Sequence, residues 1–440
     1  MMKEERRVKA LRSCRVAVCV AFAVVSLARV GTAADVQTAL PHDAAAGAAA
    51  TEKKAEEQKP AAVSHDAAAG AAVTEKKAEE QKPEEKKAEV IEPLFFRPLT
   101  KIESGRNDSN PTWSPSGALI AFERSKGDKK EILIVRPDGT LVQTIYYQLS
   151  DDSKEMKFFF PGVFEEVSYN AGISWSPAGD RFVFMSNGGE GNYDLYLREL
   201  SAKVPVRLTD HKEKDGQAHW SPVGNTIVFV SGRTGKGDIY LMDIQTRVLT
   251  RLTQGGKPHL YPQWSPDGKK IVMMHGTNEN HRIYLIDDVT KPMETLRALT
   301  SWTNDNLRPI WSPDGKKIAF YTNYNPAGDP GVWSLMVIAA DGSDPTQGDG
   351  LGAKIVATDV IPDVERGPAW MPDSVRIVYV KNDKQEYNPI YVVDTREKTN
   401  LLLKTDTKMN HDVVCAADGT IAVRAQVDQW DHIYLVKLKN

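Results

Sequence analysis

Polar residues recur three to five positions ahead of a repeated tryptophan, or of the slot where one is missing, Asn170 and Gln217 among them, and eight are candidate ligand contacts: Asn110, His259, Tyr261, Arg308, Glu365, Arg366, His411 and Asp412. The set is of mixed sign and partly aromatic. An arginine so placed can hold a carboxylate or a backbone carbonyl through forked hydrogen bonds, a geometry lysine does not reproduce. These types therefore suggest recognition, with Arg308 and Arg366 gripping a ligand and Tyr261 and His411 assisting. As rim residues outside the core, the two arginines are expected to be replaceable at little cost in stability.

Turnover is not what the pattern suggests. The closest approach to a Gly-x-Ser-x-Gly elbow is GISWS from Gly172, and it ends in Ser176 where a glycine is required. His211, His219, His259, His275, His281, His411 and His432 are scattered, with no His-x-His and no His-Glu-x-x-His among them. His219, directly before a tryptophan, reads as a hydrogen-bonded strand residue. No catalytic residue, metal site or cofactor is expected.

The tryptophans themselves belong to a repeat. TWSPSG (Trp113), SWSPAG (Trp175), HWSPVG (Trp220), QWSPDG (Trp264), IWSPDG (Trp311) and AWMPDS (Trp370) are followed by a worn seventh copy, VCAADG, with Cys415 in the tryptophan slot. Successive copies are 62, 45, 44, 47, 59 and 45 residues apart. A period near 45 is that of a four-stranded propeller blade. Each copy reads as a strand ending at the tryptophan, a turn with Pro fixing φ and Gly relieving the exit, and a second strand apolar on alternate positions. A third strand follows a loop (EILIV, YDLYL, GDIYL, HRIYL, VWSLM, NPIYV, DHIYL), and a fourth closes on a Leu-Thr signature such as LTRLT. The seventh copy lacks its fourth strand, and FFRPLT, from Phe95 to Thr100, carries the missing signature at the other end. An N-terminal strand completing the last blade would close the ring, so the count favours seven blades over six.

Ahead of the repeats lies different material. Residues 1–34 have a basic start and the apolar run VAVCVAFAVVSLA, then small residues, the pattern of a cleavable signal peptide. Its removal takes away seven basic and two acidic side chains and moves the formal charge from −3 to −8. A mildly acidic exported chain has no basic footprint for nucleic acid. Cys14 and Cys19 leave with the leader, so Cys415 has no disulfide partner. Residues 35–93 hold HDAAAGAAATEKKAEEQKP and HDAAAGAAVTEKKAEEQKP, which differ only at Ala50 and Val73. Such composition cannot bury enough surface to offset ordering entropy and reads as a disordered linker. The propeller is expected over 94–440.

The repeats WSPDGKKIAF, DIYLMD and RLT resemble the TolB-type β-propeller repeat, and the resemblance covers residues 95–440. It implies an all-β propeller. TolB proteins carry an α/β domain before a six-bladed ring, whereas here the linker precedes seven copies, so the resemblance is to a TolB-like propeller without that domain. For function the resemblance says little, since one propeller architecture hosts many activities; with the catalytic motifs missing, the expectation is a non-catalytic periplasmic binding or scaffold protein, monomeric, without a membrane span after cleavage, that engages an envelope protein or peptide at its loop face and central funnel. The alternative is a glycan-binding or glycan-cleaving propeller of the oligogalacturonate-lyase type.

Strand order places the short Ser-Pro-Asp-Gly turns on one face and the longer, variable loops on the other, where recognition is expected together with the funnel. The link before blade two also contains Phe158, Phe159, Phe160 and Phe164 beside Pro161-Gly162, which are expected either to pack over the blade edge or to form an apolar contact for a partner.

Overall fold

The computed structural model describes residues 89–126, 129–145, 170–187, 192–277, 280–300, 304–342, 353–383 and 387–439. The leader, the linker up to residue 88, and Phe158, Phe159, Phe160 and Phe164 lie outside the described residues.

Seven sheets, antiparallel but for one added edge strand, follow one another along the chain, each packing on the next, and the seventh returns to the first. The fold is a seven-bladed β-propeller. Its innermost strands are Asn107–Trp113, Asn170–Trp175, Asp215–Trp220, His259–Trp264, Asn306–Trp311, Ala369–Trp370 and Met409–Cys415. The second strands depart from the expected alternation: Ile271, Val272, Met273 and Met274 are all buried, as are Ile377, Val378, Tyr379 and Val380. A blade packs against neighbours on both faces, so its middle strands are apolar on consecutive positions.

The repeated words have physical roles. In the tryptophan turns, Ser114, Ser265 and Ser312 each accept through Oγ the N–H of the residue five further on, at 3.0, 2.9 and 2.9 Å. The closing glycines Gly268 and Gly315 both sit at φ 69°, where other residues are strained. In the Leu-Thr signature, Oγ1 of Thr209, Thr253 and Thr300 accepts the N–H of Leu195, Ile239 and Ile283, at 3.0, 2.9 and 2.9 Å. Each threonine thus locks a fourth strand to the third.

The ring closes as expected. Strand β1 spans Glu89–Ile91 and β2 spans Pro93–Pro98. Phe95, Phe96 and Arg97 of β2 pair antiparallel with Lys437, Val436 and Leu435, and Oγ1 of Thr100 accepts the N–H of Ile433 at 3.1 Å. The seventh blade therefore carries the same threonine lock, supplied from the other end of the chain. Strand β1 was not expected. It lies inside the stretch read as linker and pairs parallel with Leu401–Leu403 on the outer edge of blade six. Glu92 alone separates β1 from β2, so one short segment covers the edges of two blades.

Candidate functional site

The inner wall is built from a repeated irregularity. In six blades the pairing of the first two strands shifts just before the tryptophan slot, between Ser109 and Thr112, Ala171 and Ser174, Gly216 and His219, Leu260 and Gln263, Leu307 and Ile310, and His411 and Val413. The residue three before the tryptophan has left-handed backbone: φ is 53° at Asn110, 53° at Gln217, 52° at Tyr261 and 53° at Arg308, with glycine at 172 and 367. A bulge of this kind re-aims its side chain and leaves an N–H without a ladder partner.

Neighbouring blades supply the missing acceptors. Asp412 accepts from Asn110 N–H at 3.3 Å, Glu123 from Gly172 at 3.2 Å, Gln217 from Tyr261 at 2.7 Å, and the Met274 sulfur from Arg308 at 3.3 Å. One level below, Ser174 accepts from Trp220 N–H at 2.9 Å and Nδ1 of His219 from Trp264 N–H at 3.2 Å. His219 is thus the strand residue expected of it. Enclosure by the walls, and then Arg308, hold its imidazole down at about 4.

Inside this girdle lies a cavity of about 980 Å³. It follows the whole innermost strand of blade three, from Lys214 to Pro222, and takes in Trp113, Trp175, Trp264 and Trp311 with Pro115, Pro177 and Pro266. The tryptophan-turn end is therefore part of the concavity, not scaffold alone. Of the eight expected residues, Asn110, Tyr261, Arg308, Glu365 and Arg366 line it.

Three do not. His259 is only 2 % exposed, stacks on His275 with ring centroids 4.3 Å apart, and has Nδ1 3.8 Å from Asp238 across the seam with blade three. Burial holds it at about 4. His411 stays in the blade-seven strand opposite Arg424, and Asp412 is tied to Arg424 at 2.9 Å. Sequence distance from the tryptophan placed these residues on the right strand but could not tell channel from seam.

The two arginines also depart from expectation. Arg308 is 5 % exposed, lies over the Tyr261 ring at 3.9 Å and donates from Nη2 to the Glu365 carbonyl. Arg366 donates from Nη2 to the Asn110 carbonyl in blade one. Both are committed to the protein itself. They fasten the loop 361–368, which shortens the innermost strand of blade six to two residues and braces blade five to blade one. Asp363 shapes that loop, its Oδ1 accepting the N–H groups of Glu365 and Arg366 at 3.0 and 2.9 Å. Burial and the nearby Asp412 push the Asp363 carboxyl up. Gly367 permits the close approach: a Cβ there would stand 2.9 Å from the Arg308 carbonyl oxygen.

Glu123 went unnoticed in the sequence. It is fully buried and joins Lys130 at 2.5 Å, the Asn110 side chain at 3.0 Å and blade two. A carboxylate in the middle of the apolar strand IAFERSK was the available signal.

Residues 163–348 match the PD40 family, described as the TolB beta propeller domain. Among solved structures the chain is similar to TolB from Acinetobacter baumannii, at 20 % identity over 70 % of this chain and 65 % of that one, with a TM-score of 0.45. It spans just under two thirds of that TolB chain. An oligogalacturonate lyase in complex with manganese is similar at 13 % identity over 78 % and 93 % of the two chains, TM-score 0.57. A puromycin-hydrolyzing peptidase from Mycobacterium tuberculosis is similar at 11 % over 76 % and 51 %, TM-score 0.54. Likeness at such identities extends to the fold. With seven blades written in tryptophan turns and Leu-Thr locks, the chain is a seven-bladed β-propeller, and residues 163–348 of it match the TolB beta propeller domain.

Proposed function

We propose that this propeller is an exported binding or scaffold protein that acts by holding a protein or peptide segment in its channel, without chemical turnover. The observation that carries this reading is the cavity of about 980 Å³ enclosed by a ring whose inner strands are stitched blade to blade. A concavity that combines indole and proline surface with polar and charged side chains suits an extended segment, whose backbone and side chains need both. The lining histidine, His219, is already used as an acceptor for Trp264, so its role is positional. Among the described residues no helix is long and apolar enough to cross a membrane. Export rests on the signal-peptide pattern of residues 1–34.

The test is capture from envelope extracts with immobilised residues 89–440, alongside turnover assays with peptide and uronate-oligosaccharide substrates, with and without divalent metals. A stable stoichiometric partner and background rates are expected. Metal-dependent cleavage of uronate oligosaccharides, lost on replacing His259 or His411, would overturn the binding reading in favour of a lyase.

A further inference from the structure

Six charged side chains line the cavity: Lys214, Arg308, Arg366, Glu123, Asp215 and Glu365. Five are already engaged. Lys214 lies over the Tyr193 ring at 5.3 Å, and Asp215 meets Arg233 at 3.1 Å. Arg308 and Arg366 are spent on carbonyls, and Glu123 on Lys130. Glu365 differs. Its backbone is bound on both sides, by Asp363 and by Arg308, but its carboxylate has no hydrogen bond or ion pair among the described residues. The residue is solvent-exposed, yet the walls around it push its carboxyl up, with Glu123 and Asp412 adding to the rise and Arg308 and Lys130 opposing it. It is an exposed residue of the cavity lining, inside the ring.

Among the described lining residues, the charge without a hydrogen bond or ion pair is therefore negative, opposite in sign to what two rim arginines suggest. We propose that Glu365 is the recognition point of the channel and that it selects a cationic group, the ammonium of a lysine or the guanidinium of an arginine, carried on the bound peptide segment. This rests on the reading of the channel as a peptide site. The backbone of Glu365 is held on both sides, so only its side chain has to be ordered when the cation arrives. The indole wall beyond it accepts the aliphatic stem of such a side chain, and an aromatic face adds attraction for the charge itself.

The experiment uses the full chain and acetylated, amidated tripeptides Pro-X-Pro, with X lysine, arginine, norleucine or glutamate. Calorimetry and the fluorescence of the lining tryptophans report binding. The lysine and arginine peptides are expected to bind about ten-fold tighter than the norleucine peptide, the worth of one charge-assisted hydrogen bond, and the glutamate peptide weakest. Glu365→Gln should erase that preference with the melting temperature unchanged, and Glu365→Lys should reverse it. Equal affinity for lysine and norleucine, preference surviving Glu365→Gln, or no binding of either cationic peptide at about 10 mM would overturn the proposal. A partner captured equally by wild type and Glu365→Gln would leave the binding function standing and this assignment refuted. Cationic peptides that bind through Glu365 while extracts yield no partner would do the reverse.

Discussion

The two sides of the channel use the same sequence position differently. From blade five through six and seven to blade one, the residues ahead of the tryptophan brace the ring: Arg308 and Arg366 fasten a loop across the wall, and Asp412 ties Asn110. From blade two through four, Gly172, Gln217 and Tyr261 stitch neighbours through their backbone N–H groups or side chains without a loop across the wall, and the cavity runs along blade three from Lys214 to Pro222 while the braced side lines it opposite. The braced side also holds the seam where the chain's two ends meet. A closed ring is most easily opened where covalent continuity is interrupted, so extra cross-links there form a consistent division. The contrast teaches that an arginine beside a channel says little about ligand charge until its own partners are known.

The strongest way to break this contrast is to remove the seam. Deleting residues 1–88 should leave the thermal transition nearly unchanged, since that composition contributes no core. Deleting through Thr100 exposes the edge of blade seven and should lower the transition by on the order of 10 °C or more. Equal transitions for the two truncations, followed by calorimetry, would show that the terminal strands do not hold the ring.

Next in size is Arg308→Ala, which strips a buried charge-assisted hydrogen bond and a cation–π stack. A loss of about 3 kcal/mol in denaturant unfolding is expected, with Arg308→Lys failing to restore it. This reverses the expectation that the rim arginines are dispensable for folding. A mutant as stable as wild type would return Arg308 to the list of free ligand-binding groups.

His219 sharpens the contrast through pH. Its folded imidazole is held at about 4 against 6.5 unfolded. The folded state thus binds fewer protons between those values, and His219 contributes stability above about 6.5 that is lost as pH falls toward 4. His219→Gln should cost about 1 kcal/mol at pH 7 through a poorer bond to Trp264. That gap should close, and then reverse, as melting is repeated down to pH 4. A gap independent of pH would mean that the imidazole is not desolvated in the wall.

The smallest effect is expected on the unbraced side. Lys214→Ala removes a partly exposed cation from the wall and should change stability by less than about 0.5 kcal/mol. A loss comparable to that of Arg308→Ala would make the unbraced side as structural as the braced one and erase the distinction.

Much of the architecture was legible in the sequence because it is local and repeated. Each turn needs its Ser, Pro and Gly within six residues, and each fourth strand needs its threonine one strand away, so the words survive in the chain as written. Even the closure could be read, since Thr100 is the same lock displaced to the other terminus. The site was less legible. Arg308 finds its partner 57 residues away and Arg366 its partner 256 residues away, and neither separation leaves a local pattern. Strand β1 was hidden for a related reason: three residues after a charged linker have no periodicity to announce them.

What the sequence by itself determined is the number of blades, their order and the manner of closure, because short-range turn and capping chemistry recurs with each repeat. What only the tertiary structure decided is which channel charges are spent and which remains. A bulge gives Asn110, Gln217, Tyr261 and Arg308 the same backbone angle, while Glu365 and Arg366 sit in a loop, and what each side chain then meets depends on the blade beside it. Arg308 and Arg366 met carbonyls; Glu365 stayed exposed.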